Sequence, residues 1–459
     1  LYVQRVNRAQ TRLELVQFMA FHHPDKGLRL YEATVTKLDE QPHWINLSSD
    51  FEPATGAGVI VTEETSGFRQ ISLVRPSTTH PQRLIGGEWV VDSVQHVDPH
   101  TSRILFTGFC DTPLERHLYR AEIGSLTAPE TSEDMVIARV TSPGKTWAVT
   151  MAPDGKTFIG TSSSPDQPPQ TGLYASDGEL ISWIEENALD QSHPYHPFLP
   201  DHVTPDFGTL TADDGQPLHY SILKPPGFDP TRQYPAIVEV YGGPHVQTVT
   251  HGWTGLSDQY LARQGYIVFR LDNRGTWNRG KTFEDVIHLR TGLHEVNDQL
   301  AGVDWLRAQP FVDAGRIAIQ GWSYGGYMTL MTILQAPAGT FAAAVAGAAV
   351  TDWSLYDTFY TERYMGTPQN NSSGYEASSV FPYLGKLETP LLLIHGMADD
   401  NVTFDNATRL MANLQETGKP FELMTYPGQR HGIRGEALQR HLMQTRMAFL
   451  DRKLKRQTQ

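Results

Sequence analysis

Cysteine is almost absent. The single Cys110 rules out an internal disulfide, so packing and hydrogen bonds must hold the fold. Positive charge is also in short supply. Against 51 acidic residues stand 37 basic ones, a net charge of −14. Nucleic acid and anionic membrane surfaces select for basic patches, so neither is expected as the main partner. No apolar run reaches the length of about 18 residues that a helical membrane span needs. No basic-then-apolar leader precedes the strand-like opening, Leu1 to Val6. The chain reads as one entered within a domain, with any export signal upstream of Leu1.

At 459 residues the chain exceeds what one hydrophobic core usually holds, and two domains are expected. Residues 1–195 read as all-β, with short alternating runs such as Leu13–Met19 and Gly58–Val61 between turn clusters of Pro, Asp, Gly and Ser. A loose repeat runs through them. Val97–Phe106 resembles Met151–Ile159, and His117–Arg120 resembles Gly172–Ala175, with an earlier relative at Gln70–Leu73. The offset is roughly 50 residues, the scale of one four-stranded propeller blade, and three to four blades fit the space. More are needed to close a ring, so part of a β-propeller is expected, with an irregular β-sandwich as the alternative.

The Pro-rich stretch His193–Pro200 marks a boundary. Over residues 205–459 apolar strands (Ala236–Val240, Tyr266–Leu271, Arg316–Ile319, Ala342–Ala346, Leu391–Ile394) alternate with helical patterns. This is the signature of an α/β fold with a mostly parallel sheet covered on both faces.

The strand Arg316–Ile319 runs into Gly321-Trp-Ser323-Tyr-Gly325-Gly326 and then a helical stretch. A Gly-x-Ser-x-Gly turn between strand and helix is the nucleophile elbow of an α/β hydrolase, which presents the serine hydroxyl above the sheet. A serine hydroxyl needs a base, and the base needs an acid to orient it. Asp399 and Asp400 follow the strand Leu391–Ile394, and His431 follows Phe421–Tyr426, in the chain order Ser, acid, His. Either aspartate could orient the imidazole. His395, lying before the acid, reads as structural. Tyr241, at the end of Ala236–Val240, is placed to donate its phenol to an oxyanion alongside the backbone N–H of Tyr324. The chemistry calls for no metal and no cofactor.

Gly321–Tyr327, Tyr241–Pro244, Asp272–Gly275, Tyr360–Gly366 and Ala398–Val402 together resemble the dipeptidyl-peptidase IV branch of the prolyl oligopeptidase family. The resemblance implies an α/β-hydrolase peptidase domain behind a propeller, with Ser323, Asp399 and His431 as triad and Tyr241 and Tyr324 as oxyanion hole. It implies a proline pocket built by Tyr324, Val350, Trp353, Tyr356, Tyr360 and Val402, with Asn401 and Arg363 assisting. Trp353, Tyr356 and Tyr360 are spaced as one face of a helix. Implied partners are peptides with proline or alanine at the second position; a homodimer is compatible, as is a periplasmic or secreted setting. Members of the branch bind the substrate's α-amine with paired glutamates on the propeller. Neither Glu63-Glu64 nor Glu185-Glu186 reads as that pair, so the amine site is expected upstream. Release of dipeptides, release of tripeptides, and acylaminoacyl-peptidase or carboxylesterase activity stay open.

Overall fold

The computed structural model describes residues 2–54, 57–75, 78, 80–98, 100–123 and 136–455. Two compact units emerge: Leu1–Pro197 with Thr250–Trp253 and Asn278–Asp285, and the remainder from Phe198 onward. Two short segments from the later half of the chain thus fold with the first unit.

The first unit contains, among the described residues, four antiparallel sheets laid down in chain order. One has three strands (Tyr2–Val6, Arg12–His23, Gly27–Glu40) and three have four, beginning at Phe51, Val91 and Thr146. Strand alternation sends successive side chains to opposite faces, and in the sheets beginning at Phe51 and Val91 both faces are covered. Val59 and Val61 enter one apolar cluster while Ile60 enters the next; Ile104 and Phe106 enter that same second cluster while Leu105 enters a third. The sheets beginning at Phe51 and Val91 therefore pack on both sides, as propeller blades do. The sequence repeat is in step with this arrangement. Val97–Phe106 and Met151–Ile159 span the turn between first and second strands of their sheets, and Gln70–Leu73, His117–Arg120 and Gly172–Ala175 all lie in third strands.

The second unit is built on an eight-stranded sheet. Its strands are β1 (Asp206–Thr211), β2 (Pro217–Leu223), β3 (Tyr234–Glu239), β4 (Ile267–Leu271), β5 (Val312–Trp322), β6 (Ala343–Gly347), β7 (Leu391–Gly396) and β8 (Glu422–Tyr426). Their spatial order is β1-β2-β4-β3-β5-β6-β7-β8. β1 pairs antiparallel with β2 and β2 with β4, and every later pairing is parallel. This is the α/β-hydrolase sheet. On one face Ile237, Val268, Ala318, Val345 and Ile394 pack against Leu261 and Ala262 of the helix Leu256–Arg263 and against Phe449 and Leu450 of the helix Glu436–Leu454. Phe269, one residue on from Val268, points the other way and stacks on Trp305 of the helix His294–Arg307 at 5.6 Å. The sheet is covered on both faces, and the parallel strands all end at one edge, where open α/β sheets carry their ligands.

The expected helical stripe of Trp353, Tyr356 and Tyr360 is not a helix face. Trp353 belongs to a one-turn 3-10 segment, Trp353–Leu355, Tyr356 is extended, and Tyr360 lies in a separate helix, Thr358–Met365. Two aspartates cause the break. Asp352 accepts a hydrogen bond from the Ser354 N–H and Asp357 from the Tyr360 N–H, both at 2.9 Å, so each starts its own short helical segment.

Candidate active site

β5 ends at Trp322, and the chain turns sharply at Ser323 (φ 61°, ψ −121°) into the helix Tyr324–Gln335. A non-glycine residue at this φ is strained, and the strain lifts its side chain clear of both elements. The flanking glycines make the turn possible. A Cβ on Gly321 would collide with the backbones of Gly325 and Val240, and one on Gly325 would strike the Val240 carbonyl.

The acid and the histidine arrive from the ends of β7 and β8. His431 Nδ1 lies 2.8 Å from Asp399 Oδ2, so the N–H donated to the carboxylate leaves Nε2 as the acceptor nitrogen on the other side of the ring. Asp399 has no exposed side-chain surface. Burial opposes its ionisation. His395 and His431 and the Asn401 N–H all hydrogen-bond to it, and these overcome the burial, holding the carboxyl well below the usual carboxylate range. The structure thus brings Asp399 to His431 and not Asp400, whose largely exposed carboxylate pairs with Arg430 at 3.0 Å. His395 is buried on the far side of the acid, its Nε2 2.9 Å from the Val402 carbonyl and 3.2 Å from Asp399.

Ser323, His431, Tyr241 and Tyr324 line one cavity of about 610 Å³, together with Val350, Trp353, Tyr356, Tyr360 and Asn401. The aromatic residues form a continuous wall despite their separate segments. Trp353 stacks on Tyr360 at 6.1 Å and meets Tyr356 edge-on at 6.0 Å, and Tyr241 lies 6.2 Å from Tyr324 between ring centres. The Tyr356 hydroxyl donates to Asn401 Oδ1 at 2.8 Å. Burial pushes the Tyr241 phenol up, keeping it a protonated donor. Two expected residues lie outside the lining. Val402 is fully buried in the turn around Asp399, donating its N–H to that carboxylate at 3.0 Å. Arg363 extends to His245 Nε2 at 3.3 Å, over the Phe359 ring.

Sequence reasoning missed two supports and three polar lining residues. Glu295, fully buried, accepts the Tyr324 hydroxyl at 2.9 Å and the Gly292 N–H at 2.9 Å, fixing the tyrosine that floors the wall. Trp322 donates its indole N–H to the His431 carbonyl at 2.8 Å. Glu239, Gln320 and Arg446 also line the cavity. Only Trp322, adjacent to the serine, carried a sequence signal. Glu63 and Glu64, in contrast, are buried and engaged with neighbours: Glu63 accepts from Ser72, and Glu64 from Asn46.

Residues 254–457 match the prolyl oligopeptidase family and residues 1–169 match the dipeptidyl peptidase IV N-terminal region. Human dipeptidyl peptidase 8 is 35% identical over 381 residues, covering 78% of this chain and 41% of its own. A probable dipeptidyl-aminopeptidase B from Fusarium vanettenii is 34% identical over 459 residues, covering 94% of this chain and 47% of its own. The chain therefore spans less than half the length of these curated relatives. Among solved structures, dipeptidyl peptidase 4 of Porphyromonas gingivalis superimposes with a TM-score of 0.86 at 29% identity, over 99% of this chain and 62% of that one. A putative dipeptidyl aminopeptidase IV of Bacteroides ovatus gives 0.85 at 28%, over 99% and 64%. With the elbow, the sheet order and both matched regions in agreement, the chain belongs to the dipeptidyl-peptidase IV branch of the prolyl oligopeptidase family.

Proposed function

We propose that the protein is a serine exopeptidase that releases N-terminal dipeptides with proline or alanine in second position. The observation that carries this reading is the single cavity in which Ser323 and His431 face an aromatic wall. The names of the relatives, all dipeptidyl peptidases or aminopeptidases, support it.

His431 Nε2 takes the proton from Ser323 Oγ as the oxygen attacks the scissile carbonyl, while Asp399 holds the imidazole in the required tautomer and stabilises the imidazolium. Tyr241 and the Tyr324 N–H receive the developing oxyanion. His431 then gives the proton to the departing amine, leaving an acyl ester on Ser323. Water, activated by the same histidine, hydrolyses that ester. The wall selects the acyl half. A pyrrolidine ring is compact and apolar, and flat aromatic faces bury it without stranding polar groups. Val350, in the cavity, and Arg363 and Val402, behind it, shape the wall rather than form it.

The test compares kcat/KM for Gly-Pro-anilide, its N-acetylated form, Ala-Ala-Pro-anilide and a short acyl ester. Gly-Pro-anilide should be cleaved at least tenfold better than the others, since misplacing a scissile bond costs on the order of a hundredfold. Preference for the tripeptidyl or acetylated substrate, or for the ester, would overturn the reading.

A further inference from the structure

The cavity has two ends of opposite chemistry, and the sheet explains why. Along β5, Ala318, Gln320 and Trp322 fall on one face by the two-residue period, and Ala318 and Trp322 join the cluster that packs under the helices Leu256–Arg263 and Glu436–Leu454. The aromatic wall follows instead from Tyr324, anchored to Glu295 on the helix of the opposite face, and from the segments after β6. His431 is tied to the first face, because its carbonyl accepts the Trp322 indole N–H. A ring held in the aromatic wall therefore leaves the departing half of the peptide, protonated by His431, on the Trp322 side. There the cavity is lined by Glu239, Arg270, Gln320, Arg446 and Thr248.

Two guanidinium groups dominate that end. Arg270 is gripped by Asp258 through Nε and Nη2 at 2.8–3.0 Å. Arg446 donates from Nε to Gln320 at 3.1 Å and from Nη2 to Glu239 at 3.5 Å. In both, Nη1 donates to no group among the described residues, and their side chains keep 26% and 20% of their surface exposed. The carboxylates beside them are largely engaged. Asp258 is bound to Arg270, and Asp272 accepts from the Thr248 hydroxyl and N–H and from the Val249 N–H. Glu239 accepts Gln320 and Arg446 through one oxygen, and burial pushes its carboxyl toward the neutral form.

We propose that this polar end is a leaving-group subsite that binds a carboxylate, with Arg446 as its principal donor and Arg270 beside it. The carboxylate is either the side chain of an acidic residue just after the scissile bond or the C-terminus of a tripeptide substrate. The subsite rests on the peptidase reading above and adds a preference on the departing side to it. A guanidinium edge matches a carboxylate by two parallel hydrogen bonds, and a charge-assisted pair in a partly enclosed cavity is stronger than a neutral one.

The experiment measures kcat/KM on Gly-Pro-Asp-amide against Gly-Pro-Asn-amide, and on Gly-Pro-Gly against Gly-Pro-Gly-amide, at low salt. At least one carboxylate-bearing member should exceed its neutral partner by about tenfold, with the advantage shrinking as salt rises. The two pairs separate a side-chain carboxylate from a terminal one. In Arg446→Met the favoured ratio should fall below about twofold, and Arg446→Lys should recover part of it through charge alone. A purely structural arginine would change both members of a pair alike and leave the ratio in place. Ratios near one in the unaltered protein, or a ratio that survives Arg446→Met, would overturn the subsite. Gly-Pro-anilide carries no carboxylate, so its cleavage tests the peptidase reading separately: failure there removes the parent reading, whereas cleavage with flat ratios removes the subsite alone.

Discussion

Adjacent aspartates with opposite environments give the sharpest residue-scale expectation. Asp399 is buried and bound to two histidines, whereas Asp400 is exposed and pairs with Arg430. Asp399→Asn should lower kcat by about 10⁴-fold by favouring the wrong imidazole tautomer. Asp400→Asn should change kcat by less than about threefold, since exposed ion pairs contribute little. Steady-state kinetics on Gly-Pro-anilide decides it, and a more damaging Asp400 variant would reverse the assignment. Tyr241→Phe should cut kcat by roughly a hundredfold with little change in KM, as expected for a donor used only in the transition state; an unchanged kcat would make Tyr241 a packing residue. At this scale the sequence was informative wherever chemistry demands a residue type in a fixed local setting, as at Ser323 between its glycines. It could not separate Asp399 from Asp400, because the difference lies in which carboxylate His395 and His431 enclose. Nor did it reveal Glu295, which reaches Tyr324 across 29 residues of sequence.

Elements were legible where hydrophobic period and turn chemistry agree. The strands read as Ala236–Val240, Tyr266–Leu271 and Leu391–Ile394 fall within a residue or two of β3, β4 and β7. The stripe Trp353, Tyr356, Tyr360 misled because spacing alone implied one helix, while Asp352 and Asp357 act as side-chain caps that restart the chain twice. A second element carries a pH signature. In the segment Asn278–Asp285, Glu284 is fully enclosed in the first unit, where Asn46 donates to it at 2.9 Å. Burial, reinforced by the nearby Glu64 carboxylate and opposed by Lys281, pushes its carboxyl up to about 8. The folded chain then holds a proton that the unfolded chain has released between pH ~4.3 and that value, so stability falls as pH rises through this window. Asp39, pushed up to about 6 chiefly by burial, acts in the same direction over a narrower range. Glu284→Gln removes the larger contribution. Its thermal midpoint should gain on the unaltered protein between pH 5 and pH 9, and parallel midpoint curves would contradict the assignment.

For the whole molecule, the sequence conveyed two grammars: a β half repeating at roughly 50 residues and an α/β half with ordered motifs. The repeat was readable because turn and strand must recur once per sheet. It was degenerate because an inner sheet needs only apolar residues on both faces, which many sequences satisfy; Ile104, Leu105 and Phe106, all buried but in alternating clusters, illustrate this. The grouping of Thr250–Trp253 and Asn278–Asp285 with the first unit left no sequence trace. These are short excursions from the α/β half, held by contacts such as Lys281 Nζ to the Trp44 carbonyl at 2.9 Å. On the proposed function, the α/β unit presents one activated serine to a wall that accepts proline, and the residues of both share one cavity. Labelling with a fluorophosphonate, followed by mass mapping of the modified peptide, tests this most directly, because only a serine with a working base and oxyanion donors reacts quickly. A single adduct on Ser323 is expected, formed at least about 10³-fold more slowly in His431→Ala. A protein that stays unlabelled, or that carries the adduct on another serine, would contradict it.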